Sequence, residues 1–264
     1  MKPLLLAFPP TGFIPDGVLD VSAPSAAPLA EPSAAPPVVC LHGTVANGGN
    51  WAALAQLLLT RGRVVVTPTY GERGTAPLAD NRAEVMRIVR RTLELTGADR
   101  VDLVGHSQGG LLAGLVVADV LDDDIVRRVI CLSGTHRGVR MPRGVPMSAV
   151  AATFGPALAD QVRLRRQLLA GSGLPEVARA VRDRLNADGA ADAGGPADDG
   201  TRLPRWFDLV TDADRVVPPD CALTPDEYPG ATTIRLEDRL GRGVAHHLQP
   251  HDRGVAGLVA ELLG

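Results

Sequence analysis

The stretch Val101–Gly114, VDLVGHSQGGLLAG, decides the fold. Its first four residues are typical of a short buried strand, and the small residues and leucines at its end predict a helix. A strand that turns into a helix across G-x-S-x-G is the nucleophile-elbow pattern, in which a sharp turn exposes a serine hydroxyl above a sheet. Gly105 and Gly109 allow the strand and the helix to approach closely, because neither residue carries a Cβ. The sequence therefore predicts that Ser107 is a catalytic nucleophile.

The segments on either side of the elbow alternate between two patterns. Short apolar runs predict buried strands, and apolar residues at three- and four-residue steps predict helices. The predicted strands are 37–41, 64–66, 128–133, 206–210 and 232–236, and the predicted helices include 51–58, 81–96 and 255–263. In the second of these helices, Asn81 and Glu84 have the form of a capping box, and Gly97 follows the last periodic residue. This alternation predicts an α/β fold with a mostly parallel sheet and helices on both faces.

The composition fits one domain with a sizeable core. The chain has 264 residues, of which 45% are hydrophobic, and its formal net charge is −3. Such a charge argues against a nucleic-acid partner, and no apolar run is long enough to cross a bilayer. The apolar start of the chain meets two prolines too early for a signal peptide, so we expect a cytoplasmic protein, or a secreted one if synthesis starts elsewhere. Cys40 and Cys131 fall in predicted strands and read as small buried hydrophobes, whereas Cys221 is a free or paired thiol.

Four segments organise the chain. Residues 1–36 are rich in proline and alanine and predict an extended surface arm, and residues 37–264 form the domain. Within it, interrupted helical patches predict a cap or lid over 139–175, with ordinary crossover helices as the alternative. The acidic, glycine-rich segment 188–200 predicts a flexible loop, and its aspartates lack the spacing of a calcium loop.

A serine nucleophile needs a base and a carboxylate that orients the base. In the elbow-bearing enzymes these follow in the order serine, acid, histidine. The candidate acids after Ser107 are Asp208, Asp212, Asp214 and Asp220, and the candidate bases are His246, His247 and His251. We favour Asp214 because it lies just beyond the end of a predicted strand, with Asp212 as its rival, and we favour His247 with His246 as the alternative. A three-histidine metal site is disfavoured, since adjacent histidines point apart, and no cofactor is expected.

Acyl transfer also needs donors for a developing oxyanion. The backbone N–H of Gln108, directly after the nucleophile, is one predicted donor. The second should come from the loop after an early strand, where His42-Gly43-Thr44 places the N–H of Thr44.

Four blocks together resemble the class 2 bacterial lipases. They are PVVCLHGTVANGGNW at 37–51, GHSQGG at 105–110, DRVV at 214–217 and AHHL at 245–248. The resemblance implies an α/β-hydrolase fold and cleavage of triacylglycerols or simpler carboxylic esters without a cofactor. Carried over by position, it implies Ser107 as nucleophile, Asp214 as acid, His247 as base, and Thr44 with Gln108 as oxyanion donors.

The sequence therefore predicts a serine hydrolase of the lipase or esterase type, acting on a small ester or lipid with at most transient contact to a lipid surface. The residues expected to line the acyl pocket are Leu111, Leu112, Met141, Val145, Met147 and Phe154. Aromatic residues make up only 3% of the chain, so this pocket should be mainly aliphatic. The alternatives are a thioesterase or acyltransferase on the same scaffold, or a ligand-binding protein that has kept the fold without catalysis.

Overall fold

A six-stranded parallel sheet forms the centre of the computed structural model, which describes residues 10–141, 144–171, 174–187 and 203–264. The strands are β1 Val38–Leu41, β2 Val65–Val66, β3 Val101–His106, β4 Val126–Leu132, β5 Arg205–Val210 and β6 Ala231–Arg235. Their order across the sheet is β2-β1-β3-β4-β5-β6, and every neighbouring pair is parallel. The chain thus leaves β1 in one direction and returns on its other side at β3. In open parallel sheets such a switch point forms the crevice where ligands bind.

Helices cover both faces of the sheet. They are α1 Ala52–Thr60, α2 Leu78–Thr96, α3 Gln108–Asp119, α4 Met147–Phe154, α5 Pro156–Leu169, α6 Glu176–Ala187, α7 Leu236–Leu240 and α8 Arg253–Leu263. Short 3₁₀ turns lie at Gly48–Trp51, Pro219–Cys221 and His246–His251, and one further turn spans Gly71–Gly74. None of these described helices is both long enough and apolar enough to span a membrane.

Two hydrophobic cores hold the layers together. One packs α2, α3 and α6 against one face of the sheet, and the other packs α1 and α8 against the opposite face. The middle strands β1, β3 and β4 contribute buried side chains to both cores, as strands covered on both faces do. The predicted α/β-hydrolase architecture, with helices on both faces, is confirmed.

The elbow owes its shape to two glycines. A Cβ on Gly105 would lie 2.5 Å from the carbonyl carbon of Gly109, and a Cβ on Gly109 would lie 2.1 Å from the carbonyl oxygen of Leu41. Heavy atoms cannot approach so closely, so any side chain at either position would push α3 away from β1 and β3. These contacts fix where the turn places Ser107.

The start of α2 corrects one prediction. The helix begins at Leu78 rather than after Asn81, and Asn81 is fully buried inside it. Its side chain donates to the carbonyl of Ala76, while Glu84 accepts from the N–H of Gly71, so the two residues bind the preceding turn instead of each other. The end of the helix is as predicted, with Gly97 in the left-handed conformation at φ 62°.

The sequence also predicted an N-terminal arm, a cap and a flexible acidic loop. The described part of the N-terminal arm contains no helix or strand and hydrogen-bonds to the domain, for example from the N–H of Leu19 to the carbonyl of Val65. Helices α4 and α5 lie within the predicted cap, 139–175. The acidic segment 188–200 lies outside the described residues. All three cysteines are buried free thiols, Cys221 included.

Candidate active site

Ser107 occupies the strained turn that the elbow requires. Its backbone lies at φ 56° and ψ −121°, a region that residues with a side chain rarely adopt. The turn is held by main-chain hydrogen bonds. The N–H of Ser107 donates to the carbonyl of Leu132, and the carbonyl of Ser107 accepts from the N–H groups of Gly110, Leu111 and Thr135. Backbone strain of this kind persists only where the surroundings enforce it, and it concentrates at functional sites.

The loop after β1 passes directly beside the elbow. A Cβ on Gly43 would lie 3.1 Å from the Cβ of Ser107. The hydroxyl of Thr44 donates to Oε1 of Gln108 over 2.8 Å, which ties the loop to the first residue of α3. Within the described part of the chain, the N–H groups of Thr44 and Gln108 make no hydrogen bond. Two free donors beside a serine, at a helix N-terminus, suit a developing negative charge.

Residues that the sequence did not single out hold this loop. The ring of His42 stacks on Tyr70 at 4.2 Å, and the Tyr70 hydroxyl donates to the His42 carbonyl. Arg73 donates to the carbonyls of Val45 and Ala46. Residues in and next to the turn Gly71–Gly74 therefore hold the loop after β1, which carries the N–H of Thr44.

His246 and Asp214 form a close pair. Nδ1 of His246 lies 2.6 Å from Oδ2 of Asp214, and both groups are shielded from solvent. This corrects the preference for His247, which is exposed because the 3₁₀ turn His246–His251 directs only one of the two adjacent side chains inward. Asp212, the rival acid, is exposed and pairs with Arg235. Of the candidates considered, the structure brings together Asp214 and His246.

The carboxylate of Asp214 is enclosed by donors. Oδ1 accepts from the N–H groups of Val216 and Val217, at 2.8 and 2.7 Å. Oδ2 accepts from His246 and, over 3.1 Å, from Nε2 of Gln249. Burial acts to raise the pKa of Asp214, but its hydrogen bond and charge interaction with His246, together with the other donors, lower that pKa overall. The carboxyl is therefore ionised and accepts the Nδ1 proton of His246.

His106 connects the elbow to this pair. Its Nε2 lies 2.9 Å from the carbonyl oxygen of His246, and the two rings are 4.5 Å apart. Burial and then the nearby His246 lower the pKa of His106 well below its usual value, so this ring is neutral and donates to the carbonyl. His246 therefore contacts the residue that directly precedes Ser107 in the elbow.

One buried cluster has the residue types of a metal site. A ligand atom from each of Cys131, His136 and Asp208 lies within 4.8 Å of the other two. The carboxylate of Asp208, however, already accepts from His136, from the indole N–H of Trp206 and from the N–H of Leu223. Burial also raises the pKa of the Cys131 thiol, which disfavours the thiolate that a metal requires. The cluster is arranged as a hydrogen-bonded part of the core.

Two openings lie under or beside the helices that follow β4. A partly open cavity of about 350 Å³ lies between α2, α3, α5 and α6, and Leu111 and Leu164 contribute to its wall. A more open cleft of about 600 Å³ is lined by Met141, Leu158, Asp214 and Val216. Of the other residues expected to contact substrate, Leu112 is buried in the core, and Val145, Met147 and Phe154 line neither opening.

Comparison with known proteins identifies the family. A model described as the alpha/beta hydrolase family matches residues 38–256. A curated zebrafish (Danio rerio) protein named "Serine hydrolase-like protein" is 34% identical over 105 residues, which cover 38% of this chain and 32% of that protein. The match thus spans about a third of the length of this relative.

Solved structures share the fold at low sequence identity. A lipase from Bacillus licheniformis, BlEst2 in its mature form, is 17% identical with a TM-score of 0.58, over 90% of this chain and 96% of that one. Est1E from Butyrivibrio proteoclasticus, solved with ferulic acid, is 18% identical with a TM-score of 0.55, over 90% of each chain. At such identities the likeness establishes the fold alone.

Proposed function

The chain belongs to the alpha/beta hydrolase family, and we propose that within this family it is a serine hydrolase that cleaves carboxylic esters. The observation that carries the proposal is the contact between His246 and Asp214 beside the strained elbow of Ser107. A strained serine, a buried carboxylate–imidazole pair and two free N–H groups together are what acyl transfer requires, whereas ligand binding alone requires none of them.

The proposed reaction begins at Ser107. Because Nδ1 of His246 donates to Asp214, the neutral imidazole keeps its lone pair at Nε2, and this atom takes the hydroxyl proton as Ser107 Oγ attacks the ester carbonyl. The N–H groups of Thr44 and Gln108 stabilise the resulting oxyanion. Collapse of the tetrahedral intermediate transfers the proton from His246 to the leaving alcohol. Water, activated by the same histidine, then releases the acid from the acyl-enzyme.

The two openings suggest where the acyl and alcohol portions of an ester bind. Leu111, one turn along α3 from Ser107, lines the cavity of about 350 Å³, and the largely apolar wall of this cavity suits an acyl chain. The wider cleft beside Asp214 suits the alcohol portion. We propose Leu111 as an acyl contact and Met141 as a contact on the alcohol side.

The substrate type within the ester class rests on resemblance and on exposed apolar residues. The blocks shared with class 2 bacterial lipases favour a lipase or esterase. Val216 and Leu248, close in sequence to Asp214 and His246, are 53% and 48% exposed. Exposed apolar side chains at the rim of a site favour a hydrophobic substrate and brief contact with a lipid surface. We propose that residues 139–175 act as a cap over this rim.

Hydrolysis of a series of p-nitrophenyl esters of increasing acyl length tests the proposal. We expect hydrolysis that depends on Ser107, with a preference for chains that fit the partly open cavity, and none in Ser107→Ala. Ester hydrolysis that persists in Ser107→Ala, or none in the folded parent protein, would overturn it. Faster turnover above the solubility limit of the ester would support the cap, and a preference for thioesters would favour the thioesterase alternative.

A further inference from the structure

We propose that Gln249 is a positioning residue of this site: from the same turn that carries the base, it holds the carboxylate of Asp214 in place as the acceptor for His246. The inference rests on the proposed function for its catalytic meaning. Its geometry, however, can be tested without turnover.

The turn His246–His251 places both donors on one side. Side chains three residues apart are eclipsed in a 3₁₀ turn, and His246 and Gln249 are spaced in this way. Both reach the same atom, since Oδ2 of Asp214 accepts from Nδ1 of His246 over 2.6 Å and from Nε2 of Gln249 over 3.1 Å. The histidine and the group that fixes its partner therefore move as one unit.

With Gln249 present, the carboxylate has no freedom to turn. A carboxylate offers about four acceptor positions, and Asp214 uses two on Oδ1 for the N–H groups of Val216 and Val217 and two on Oδ2. Without Gln249, the carboxylate would keep His246 and the hydroxyl of Ser133 as side-chain partners, but Oδ2 would lose its second N–H donor. The amide thus removes a competing orientation of the acid.

Ser133 anchors the amide from the other side. Nε2 of Gln249 also lies 2.9 Å from the hydroxyl of Ser133, which is buried at the end of β4 with a strained φ of 44°. Every atom of this arrangement is enclosed, since Gln249 is 0% and Ser133 3% exposed. The hydroxyl of Ser133 and the amide of Gln249 therefore link the end of β4 to Asp214.

The buried amide of Gln249 is satisfied at only one of its two ends. Oε1 of Gln249 is buried and has no hydrogen-bond partner among the described residues. Leaving a buried acceptor unsatisfied costs about 1–3 kcal/mol. The other end of the amide, in contrast, is fully used, because Nε2 donates to Asp214 and to Ser133.

The test compares two buried glutamines. Gln249→Met removes the amide at similar volume. Gln161→Met is the matched control, because Gln161 is 1% exposed but has both amide atoms satisfied, by Thr135 and Ala157, away from Asp214. Gln249→Glu keeps the shape of the side chain, but it replaces the donating amide NH2 group by a carboxylate oxygen that repels Asp214. It decides the question if the methionine variant does not fold.

Two measurements separate positioning from stability. The Nδ1 proton of His246, assigned by its loss in His246→Gln, should be a sharp downfield NMR signal in the parent and in Gln161→Met, and broadened or absent in Gln249→Met. We expect kcat for a p-nitrophenyl ester to fall about 10- to 100-fold in Gln249→Met with KM little changed, as for a misaligned catalytic group. Its thermal midpoint should fall no more than that of Gln161→Met, because each variant removes two hydrogen bonds of a buried amide.

The inference is overturned if Gln249→Met keeps the signal and its kcat lies within twofold of the parent. It is equally overturned if activity falls only in proportion to a lowered thermal midpoint. If the parent shows the signal but hydrolyses no ester, the proposed function fails, and the loss of the signal in Gln249→Met still tests the positioning of Asp214.

Discussion

His246 donates from Nδ1 to Oδ2 of Asp214 across 32 residues of sequence, whereas the adjacent His247 is exposed to solvent. The contact with Asp214 thus distinguishes His246 from its neighbour His247. It also fixes the chemistry of the ring, because an ionised acceptor at Nδ1 leaves the lone pair at Nε2 for the serine proton.

The first prediction concerns these two histidines. His246→Gln should lower kcat/KM for ester hydrolysis by about three to four orders of magnitude, because no group would then accept the proton of Ser107. His247→Gln is the matched control and should remain within about threefold of the parent. A larger loss in the His247 variant than in the His246 variant, measured on folded protein, would reverse the assignment.

The second prediction concerns the two aspartates. Asp214→Asn should lower kcat by up to about 10⁴-fold, because the amide favours the wrong tautomer of His246. Asp212→Asn loses an exposed pair with Arg235, which contributes about 1 kcal/mol or less, and kcat should be nearly unchanged, with any effect confined to KM because Asp212 lines the wider cleft. Steady-state kinetics on both variants checks this, and equal losses would argue against a specific role for Asp214.

The third prediction concerns the strain at Ser107. Ser107→Gly abolishes hydrolysis and relieves a φ of 56° that glycine adopts without penalty. Since such strain costs about 1–3 kcal/mol and glycine loses about 0.5–1 kcal/mol in chain entropy, we expect the free energy of unfolding to rise by about 1 kcal/mol. Urea denaturation measures this change, and a clear loss of stability would contradict the strained geometry.

The fourth prediction concerns acid stability. Burial lowers the pKa of His42 to about 4, and the nearby charge of Arg73 adds to this effect, whereas the hydrogen bond from Nδ1 to the carbonyl of Gly43 opposes it. The unfolded chain therefore binds a proton below about pH 6.5 that the folded chain refuses until about pH 4. Stability should accordingly fall as pH decreases through this window.

Denaturation curves between pH 8 and pH 4 test this dependence. Loss of stability between pH 6.5 and 4 should be smaller in His42→Gln, which cannot titrate, than in the parent, although the variant is less stable at pH 8. His106 acts in the same direction over this range, whereas Asp214, whose pKa is lowered from 3.8, adds its loss of stability only at lower pH. An identical slope in the parent and the variant would show that folding does not lower the pKa of His42.

Local sequence determined what could be predicted. The elbow, the strands and the Gly97 stop follow from short-range patterns, and the structure has them where expected. The start of α2 could not be predicted, because Asn81 is committed to the preceding turn rather than to a cap. The choice between His246 and His247 depends on the phase of a 3₁₀ turn, which is set by contacts to His106 and Asp214 from distant strands. Gln249 carries no motif and becomes visible only when Asp214 is in place.

The most direct test of the account is covalent labelling of the folded protein with a fluorophosphonate, read by intact mass and peptide mapping. The account predicts one adduct, on Ser107, that is absent in Ser107→Ala and forms far more slowly in His246→Gln than in His247→Gln. No adduct on the folded parent, or an adduct on another residue, would contradict it.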